Sequence, residues 1–312
     1  MRTIGEDITM IEAKIPAAAY AVVGGSGTLS SNFPANVKAD DVEILADNLR
    51  FDTPYGESPA MRLFRVGEKR VLTVKMHGWR SGVTRADASR QVFWVFREAG
   101  VKRIISEGGV GTVNKLLDLR DFIIPDDYLD LSVRKDVMLD GRYLLVMRDA
   151  LCPEMRKALI ESTKKRFDGR VFTRGTYAVT DGRHFESPAE VAMMNGHADI
   201  VGQSICPEVY LAREIGACYA GLYFTVNYGE GIKEKWSHQD MADIFYDDAP
   251  MIGEIILETI RNIDAEERKC ECQSLAGKTG GKCAPLSLLW HRNFNSGIDG
   301  SVGGGKPLAG RA

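Results

Sequence analysis

The sequence lacks the features that mark several specialised classes of protein. It contains no run of about 20 apolar residues, the length that spans a bilayer, and its first residues lack the charged-then-apolar pattern of a secretory signal. The formal net charge is only -3, so no general attraction to nucleic acid or to an anionic membrane is expected. There are six cysteines, with no framework-like spacing in the first 260 residues, which favours a reducing cytoplasm as the environment.

The composition is that of an ordinary soluble globular protein. Of the 312 residues, 44% are hydrophobic and 27% are charged. A chain of this length can bury a substantial core. It fits one large α/β domain or two small ones.

Polar residues collect at the element ends of one stretch, Gly182–Gly231. Its pattern predicts a polar turn, a helix, a strand, a second helix and a last strand that ends at Asn227. Ligands of open α/β sheets bind beyond the carboxyl ends of the strands. The polar residues at these ends are therefore candidates for a binding site: Phe185, Glu186, Gln203, Ser204, Asn227 and Glu230.

A glycine-rich turn follows the first buried strand. Tyr20–Val23 runs directly into Gly24–Gly27, in which Ser26 is the one residue with a side chain. Glycines leave backbone N–H groups free to converge on an anion, and a serine hydroxyl can add a donor. The alternative is a plain tight turn, and the residues alone leave both open.

Three ordered motifs make the sequence similar to one family. GRHFESPAE begins at Gly182, GQSICPE at Gly202 and VNYGEG at Val226. They resemble the G-P-x-F-E-T-x-A-E, G-M-[ST]-x-x-P-E and T-[ND]-Y segments of the trimeric purine nucleoside phosphorylases and methylthioadenosine phosphorylases. Three motifs in the right order are far more specific than one glycine pattern.

The resemblance implies an α/β fold in a single domain, with a mixed central sheet flanked by helices. Residues 1–268 are expected to form this domain, and residues 269–312 a partly flexible tail with a Cys-x-Cys pair. The implied enzyme is a pentosyltransferase that cleaves purine nucleosides, of 6-oxopurine or methylthio type, in cytoplasmic purine salvage. Phosphate is its co-substrate, no other cofactor is expected, and the assembly is a homotrimer without nucleic-acid or membrane partners.

The resemblance also gives each candidate residue a role. Asn227 and His77 are the expected catalytic residues. The phosphate ligands are Ser26, His77, Arg80 and Ser204, the base-side residues are Gly109, Val110, Gly111, Phe185, Glu186 and Asn227, and the ribose-side residues are Gln203 and His238. From its position alone, His238 could equally be a solvated residue of a helix-capping turn.

The expected base chemistry points to 6-oxopurines. The Asn227 amide can bridge N7 and a 6-oxo group, which makes the purine a better leaving group as negative charge develops. Glu186 can accept from N1–H of such a base, Phe185 can stack on it, and His238 can bond a 5′-hydroxyl. Gln203 stands where the family has methionine below the ribose, so the sugar preference stays open.

The phosphate side departs from the family pattern R-H-G-R-x-H. Met76, Trp79 and Ser81 replace Arg, Arg and His, while Arg80 lies one residue out of place and could reach an anion or simply be a surface residue. Glu107 and Gly108 replace small hydroxyl residues, again at the expected phosphate site. These departures keep two alternatives open: a nucleoside hydrolase, and a non-catalytic purine- or nucleoside-binding relative.

The cysteines carry no expected chemistry. Cys152 precedes Pro153 at a predicted helix start and is expected to pack there. Cys270, Cys272 and Cys283 lack both a fourth ligand and C-x-x-C spacing, so no metal site is predicted.

Overall fold

A mixed β-sheet forms the centre of the fold, as expected. The computed structural model of the chain describes residues 14–139, 144–233 and 235–276. Over these ranges the central sheet has eleven strands, and a separate two-stranded hairpin lies beside it. Helices cover both faces of the sheet, so the predicted α/β class with a mixed central sheet is confirmed.

The strands are β1 (Tyr20–Val23), β2 (Val42–Leu49), β3 (Asp52–Thr53), β4 (Gly56–Glu57), β5 (Met61–Val66), β6 (Lys69–Val74), β7 (Arg103–Thr112), β8 (Phe122–Ile123), β9 (Asp127–Asp130), β10 (Val171–Phe172), β11 (Thr176–Val179), β12 (Ile200–Gly202) and β13 (Cys218–Tyr228). The helices are α1 (Ser26–Leu29), α2 (Arg85–Ala99), α3 (Pro153–Arg166), α4 (Pro188–Met194), α5 (Ile205–Glu214) and α6 (His238–Asn262), with a 3₁₀ turn at Met76–Gly78.

The order of the strands places β7 at the middle of the sheet. The main path runs β10-β8-β13-β7-β1-β6-β5-β2, and β12 adds to β7 in the antiparallel sense and leads on to β11 and β9. Strands β1, β6, β7 and β13 pair in parallel, so their carboxyl ends meet at one edge. Residues that follow these four strands therefore come together in space.

Two apolar layers hold the helices against the sheet. One joins α2 and α5 to it through residues such as Phe93 and Val209, and the other joins α3 and α6 through Leu159 and Ile256. Strand β13 is buried along its whole length. A parallel strand covered by helices on both faces has no solvent side.

The glycine-rich segment after Ser106 is part of a strand rather than a loop. Strand β7 runs through Ser106 and continues to Thr112. The extension pairs with β13 and, through Gly111 and Thr112, with β12. Glycines do not favour an extended strand by themselves, and the backbone hydrogen bonds on both sides stabilise this one.

Helix caps set the positions of two predicted site residues. Ser187 caps α4 in a capping box with Glu190, which places Glu186 directly before the helix. Ser237 caps α6 in the same way with Asp240, and His238 is the first residue of that helix.

Candidate active site

The base end of the site lies where β7, β12 and β13 meet. Asn227 is buried near the end of β13, at a bulge in its pairing with β7. A Cβ placed on Gly111 would lie 3.2 Å from Asn227 Nδ2, so the amide packs closely against the glycine backbone. The amide donates to the carbonyl oxygen of Tyr228 at 3.2 Å. The predicted catalytic amide is thus fixed at the carboxyl edge of the sheet.

Glu186 provides a buried hydrogen-bond acceptor near the same edge of the sheet. Glu186 is 8% exposed, and its Oε1 accepts a 2.6 Å hydrogen bond from the hydroxyl of Thr180. Thr180 in turn donates its backbone N–H to the carbonyl of Gly202 at the end of β12, the strand that pairs with Gly111. The hydrogen bond from Thr180 therefore ties Glu186 to the end of β12, which pairs with β7 as β13 does.

Three aromatic rings, Phe185, Trp236 and His238, lie together beside these groups. The Phe185 and Trp236 rings are 4.6 Å apart in an edge-to-face arrangement, and Trp236 lies 5.3 Å from His238. Phe185 is 44% exposed, so its ring is still accessible to a ligand. Among the described residues, the buried Trp236 Nε1 has no hydrogen-bond partner, which leaves one donor for a ligand.

Glu107 lies at the centre of the region where phosphate was expected to bind. Its carboxylate accepts from the backbone N–H of Gly25 at 2.5 Å, of Gly27 at 3.0 Å and of Thr28 at 3.0 Å. The hydroxyl of Thr28 donates to the same carboxylate at 2.8 Å. The N–H groups of the turn that was predicted to bind an anion therefore donate to a carboxyl group of the chain itself.

The Glu107 carboxyl is fully buried and packs closely against the glycine turn. Burial raises the pKa of Glu107 above its usual value, and the hydrogen bonds from Thr28 and the neighbouring His77 offset only part of this rise. A Cβ on Gly25 would lie 2.2 Å from the carbonyl oxygen of Glu107 and 2.8 Å from His77 Nε2, so only glycine permits this approach. An external phosphate would have to share or displace these contacts.

His77 reaches the turn from a strained backbone. Met76 and His77 have φ values of 44° and 53°, a region that residues with a Cβ rarely occupy and that often marks functional sites. The Nδ1 atom of His77 lies 2.6 Å from Glu208 Oε1, and both side chains are buried. Glu208 also accepts from Tyr219 at 2.7 Å. This carboxylate orients the ring, so that Nε2 faces Gly25.

The predicted phosphate ligands differ in their surroundings. Arg80 donates to the carbonyl of Gly78 at 3.1 Å and to Gln91 at 2.7 Å, which holds it over α2. Ser26 accepts from the N–H of Gly109 at 2.8 Å, and Ser204 lies 3.2 Å from the Tyr177 hydroxyl. Their contacts with phosphate stay predictions.

A second arginine enters the site from the first turn of α2. The guanidinium of Arg85 lies 4.0 Å from the centroid of the Trp79 ring, which itself lies 4.9 Å from the His77 ring. Arg85 also donates to Gln203 Oε1 at 2.7 Å. Gln203 is therefore held by a cation that the family pattern did not indicate, and its place beside the ribose stays a prediction.

Three residues of the site, Arg85, Glu208 and Trp236, were not predicted from the sequence. A cation in the first turn of a helix opposes the helix dipole, and this signal could have singled out Arg85. Glu208 stood in the GQSICPE motif as its last residue. Nothing in the sequence distinguishes Trp236.

The structure also brings four cysteines together, away from this site. Cys152 begins α3, as predicted, but its sulfur lies with those of Cys218, Cys270 and Cys272. The expectation of no metal site rested on having too few ligands near Cys270, and this premise is wrong for the folded chain. Cys283 lies outside the described residues.

In the described ranges, no helix is both long and apolar enough to cross a membrane.

Comparison with known proteins identifies the family. The model of the phosphorylase superfamily matches residues 20–261. The 6-oxopurine nucleoside phosphorylase of Pyrococcus furiosus is 34% identical over 277 residues, which cover 83% of this chain and 98% of the relative. The S-methyl-5′-thioadenosine phosphorylase of Pyrococcus horikoshii is 28% identical over 80% of this chain and 95% of its own length.

Solved structures show the same fold. A methylthioadenosine phosphorylase from an Antarctic soil metagenomic library superposes with a TM-score of 0.73 at 24% identity, over 84% of this chain and 91% of its own. An adenosine/methylthioadenosine phosphorylase mutant from Schistosoma mansoni, in complex with methylthioadenosine, gives a TM-score of 0.68 at 20% identity over 80% and 93%. This chain belongs to the phosphorylase superfamily, within the purine nucleoside and methylthioadenosine phosphorylases, which are pentosyltransferases.

Proposed function

We propose that this protein cleaves the N-glycosidic bond of a 6-oxopurine nucleoside and transfers the pentosyl group to phosphate. The observation that carries the proposal is Asn227, buried at the carboxyl edge of the sheet against Gly111. In the reaction the bond between C1′ and the base breaks, a bond from C1′ to a phosphate oxygen forms, and the base takes up a proton. The 34% identical relative is named for 6-oxopurine nucleosides, which supports this substrate class.

The base end supplies the leaving-group chemistry. The Asn227 amide carbonyl accepts from a protonated N7, and its NH₂ donates to the 6-oxo oxygen. Glu186 accepts from N1–H of the same base, while the exposed Phe185 ring stacks on its face. The unpartnered Trp236 Nε1 and His238 lie next to that ring and are suited to sugar hydroxyls.

Phosphate has fewer ligands here than the family pattern provides. Since the turn amides are bound to Glu107, the donors left for phosphate are the side chains of Ser26, His77, Ser204 and Arg85. Phosphate is both the nucleophile and the anion that stabilises the cationic sugar, so the donors mainly position it. We therefore expect phosphorolysis with a high KM for phosphate.

One observation favours a second candidate, hydrolysis of the same bond. Glu107 puts a carboxylate where phosphate was expected, and the Nε2 atom of His77 borders the same turn. A carboxylate near a histidine can orient a water molecule and take its proton. In this case C1′ bonds to a water oxygen, and free ribose is the product.

Base release from a panel of nucleosides tests the proposal. Purified protein is incubated with inosine, guanosine, adenosine and methylthioadenosine, with and without phosphate. We expect the fastest release from inosine or guanosine, and a rate that rises with phosphate. A rate independent of phosphate supports hydrolysis, and no release from any nucleoside at high protein and phosphate contradicts both.

We further propose a cytoplasmic homotrimer that acts in purine salvage. The trimer is supported by the family resemblance and by Val133 and Leu144, apolar residues that are 84% and 80% exposed in the single chain. The cytoplasm is supported by the free thiols of the described cysteines. Light scattering should give three times the chain mass of 34.4 kDa, and a monomer at micromolar concentration would contradict the trimer. Cell fractionation should recover the protein from the cytosol.

A further inference from the structure

Four cysteines from three separate parts of the chain come together at the amino end of β13. Cys152 lies at the start of α3, Cys218 begins β13, and Cys270 and Cys272 follow α6. Their sulfur atoms all lie within 4.8 Å of one another. Three of the four are buried, and Cys270 is half-buried.

The spacing of the sulfurs fits one metal ion. With Zn–S bonds of about 2.3 Å, the sulfurs of a tetrahedral Cys₄ site lie about 3.8 Å apart. Cys218 Sγ and Cys270 Sγ are 3.3 Å apart, well beyond the bond length of about 2.05 Å in a disulfide. All four are free thiols. A cluster of several iron and sulfide ions would hold its cysteines further apart.

The surroundings of the sulfurs are suited to negative charge. Arg103 is 1% exposed, and its guanidinium lies 3.3 Å from the sulfur of Cys218. Cys152 caps α3, so its sulfur lies near the positive end of a helix of 14 residues. Four neutral thiols gain no electrostatic stabilisation from a buried arginine or a helix N-terminus, whereas thiolates are stabilised by both.

A further contact fixes the Cys-x-Cys segment in place. The carboxylate of Glu154 accepts from the backbone N–H of Lys269 at 3.0 Å and of Cys270 at 3.3 Å. The same carboxylate pairs with Arg103 at 3.1 Å. The backbone before Cys272 is therefore positioned by groups that also surround the sulfurs, an arrangement typical of the outer ligands of a metal site.

We propose that Cys152, Cys218, Cys270 and Cys272 bind one Zn²⁺ ion in a tetrahedral, structural site that fastens the segment after α6 to the core. Four thiolate ligands and no open position exclude a catalytic role for the ion. Binding releases the thiol protons to solvent and leaves a net charge of -2 on the site, which Arg103 partly offsets. Soft thiolate ligands in a tetrahedron select zinc over magnesium or calcium.

Metal analysis of the full chain tests the proposal. The protein is purified under reducing conditions from medium that contains zinc, dialysed, and analysed for zinc and iron. We expect about one zinc per chain, and replacement by Co²⁺ should give the charge-transfer and ligand-field bands of a tetrahedral thiolate site. Absence of metal with free thiols overturns the proposal, as do two disulfides by mass spectrometry or bound iron.

Two matched variants locate the metal. Cys272→Ser removes one ligand and should lower the zinc content severalfold and the Tm by several degrees. Cys206→Ser changes a buried free cysteine outside the cluster and should leave the zinc content unchanged. Equal zinc content in both folded variants contradicts the assignment. If Cys272→Ser does not fold, the cobalt spectrum of the unaltered chain still decides.

Discussion

The predicted base side and the predicted phosphate side of the candidate site match the family motifs to very different degrees. At the base end, Phe185, Glu186 and Asn227 stand in the expected motifs, and the structure holds them on adjoining elements at one edge of the sheet. On the predicted phosphate side, Glu107 fills the glycine turn and Trp79 lies between His77 and Arg85. The predicted base side matches the family motifs, and the predicted phosphate side departs from them.

The difference follows from what each end must recognise. A purine presents fixed donors and acceptors, and an unmatched buried polar group costs roughly 1–3 kcal/mol, so the residues that read it have few substitutes. Phosphate is a symmetric anion that many donors can hold. Its site tolerates replacement of one cation by another, and a carboxylate can mimic the anion altogether.

The largest effect is expected at the base end. Asn227→Ala should lower kcat/KM for inosine by about 100- to 1,000-fold, since it removes a buried donor at the charge that develops on the base. Steady-state kinetics at saturating phosphate measures the loss. A folded variant with nearly unchanged kcat/KM would show that the amide has no part in the reaction.

Replacing Glu107 sharpens the contrast from the other end. Glu107→Thr frees three backbone N–H groups at the turn, so the KM for phosphate should fall by about 10- to 100-fold, the effect of one or two charge-assisted hydrogen bonds. Glu107→Gln keeps the shape without the charge and should give a smaller change. An unchanged KM for phosphate in a folded Glu107→Thr variant would mean that phosphate does not bind at the turn, and hydrolysis would gain support.

The choice of base is expected to follow residue 227. Opposite a 6-amino group, the amide of Asn227 either faces a second donor or must flip and lose N7, while Glu186 finds no hydrogen on N1. Asn227→Asp should therefore shift the kcat/KM ratio of adenosine to inosine by about one to two powers of ten toward adenosine. The explanation fails if the unaltered protein already prefers 6-amino nucleosides, or if the ratio stays constant.

The smallest effects separate the two arginines. Arg85→Ala removes the cation beside Trp79 and should raise the KM for phosphate by about fivefold, equivalent to about 1 kcal/mol. Arg80→Ala is the matched control, because its hydrogen bonds run to Glu57, Gly78 and Gln91, and the KM should stay unchanged within error. The opposite result would return the phosphate role to Arg80, as the family pattern first suggested.

Much of this architecture was predictable from local patterns and motifs. Strand β1 follows from a buried run, and the helix start after Cys152 follows from a proline. Contacts between distant residues were not predictable in this way. The departure from the family pattern at Glu107 was visible in the sequence. That its side chain contacts the glycine turn depends on β7 lying beside β1. Likewise, only the fold brings Cys152 close to Cys270.

The sugar product of inosine cleavage tests the central claim most directly. The products formed in saturating phosphate are followed by ³¹P nuclear magnetic resonance together with an assay for free ribose. A retained base end with a weakened phosphate site predicts hypoxanthine with an equal amount of ribose 1-phosphate, at a rate that is still rising at millimolar phosphate. Free ribose as the sole sugar product, at a rate independent of phosphate, would contradict phosphate as the acceptor.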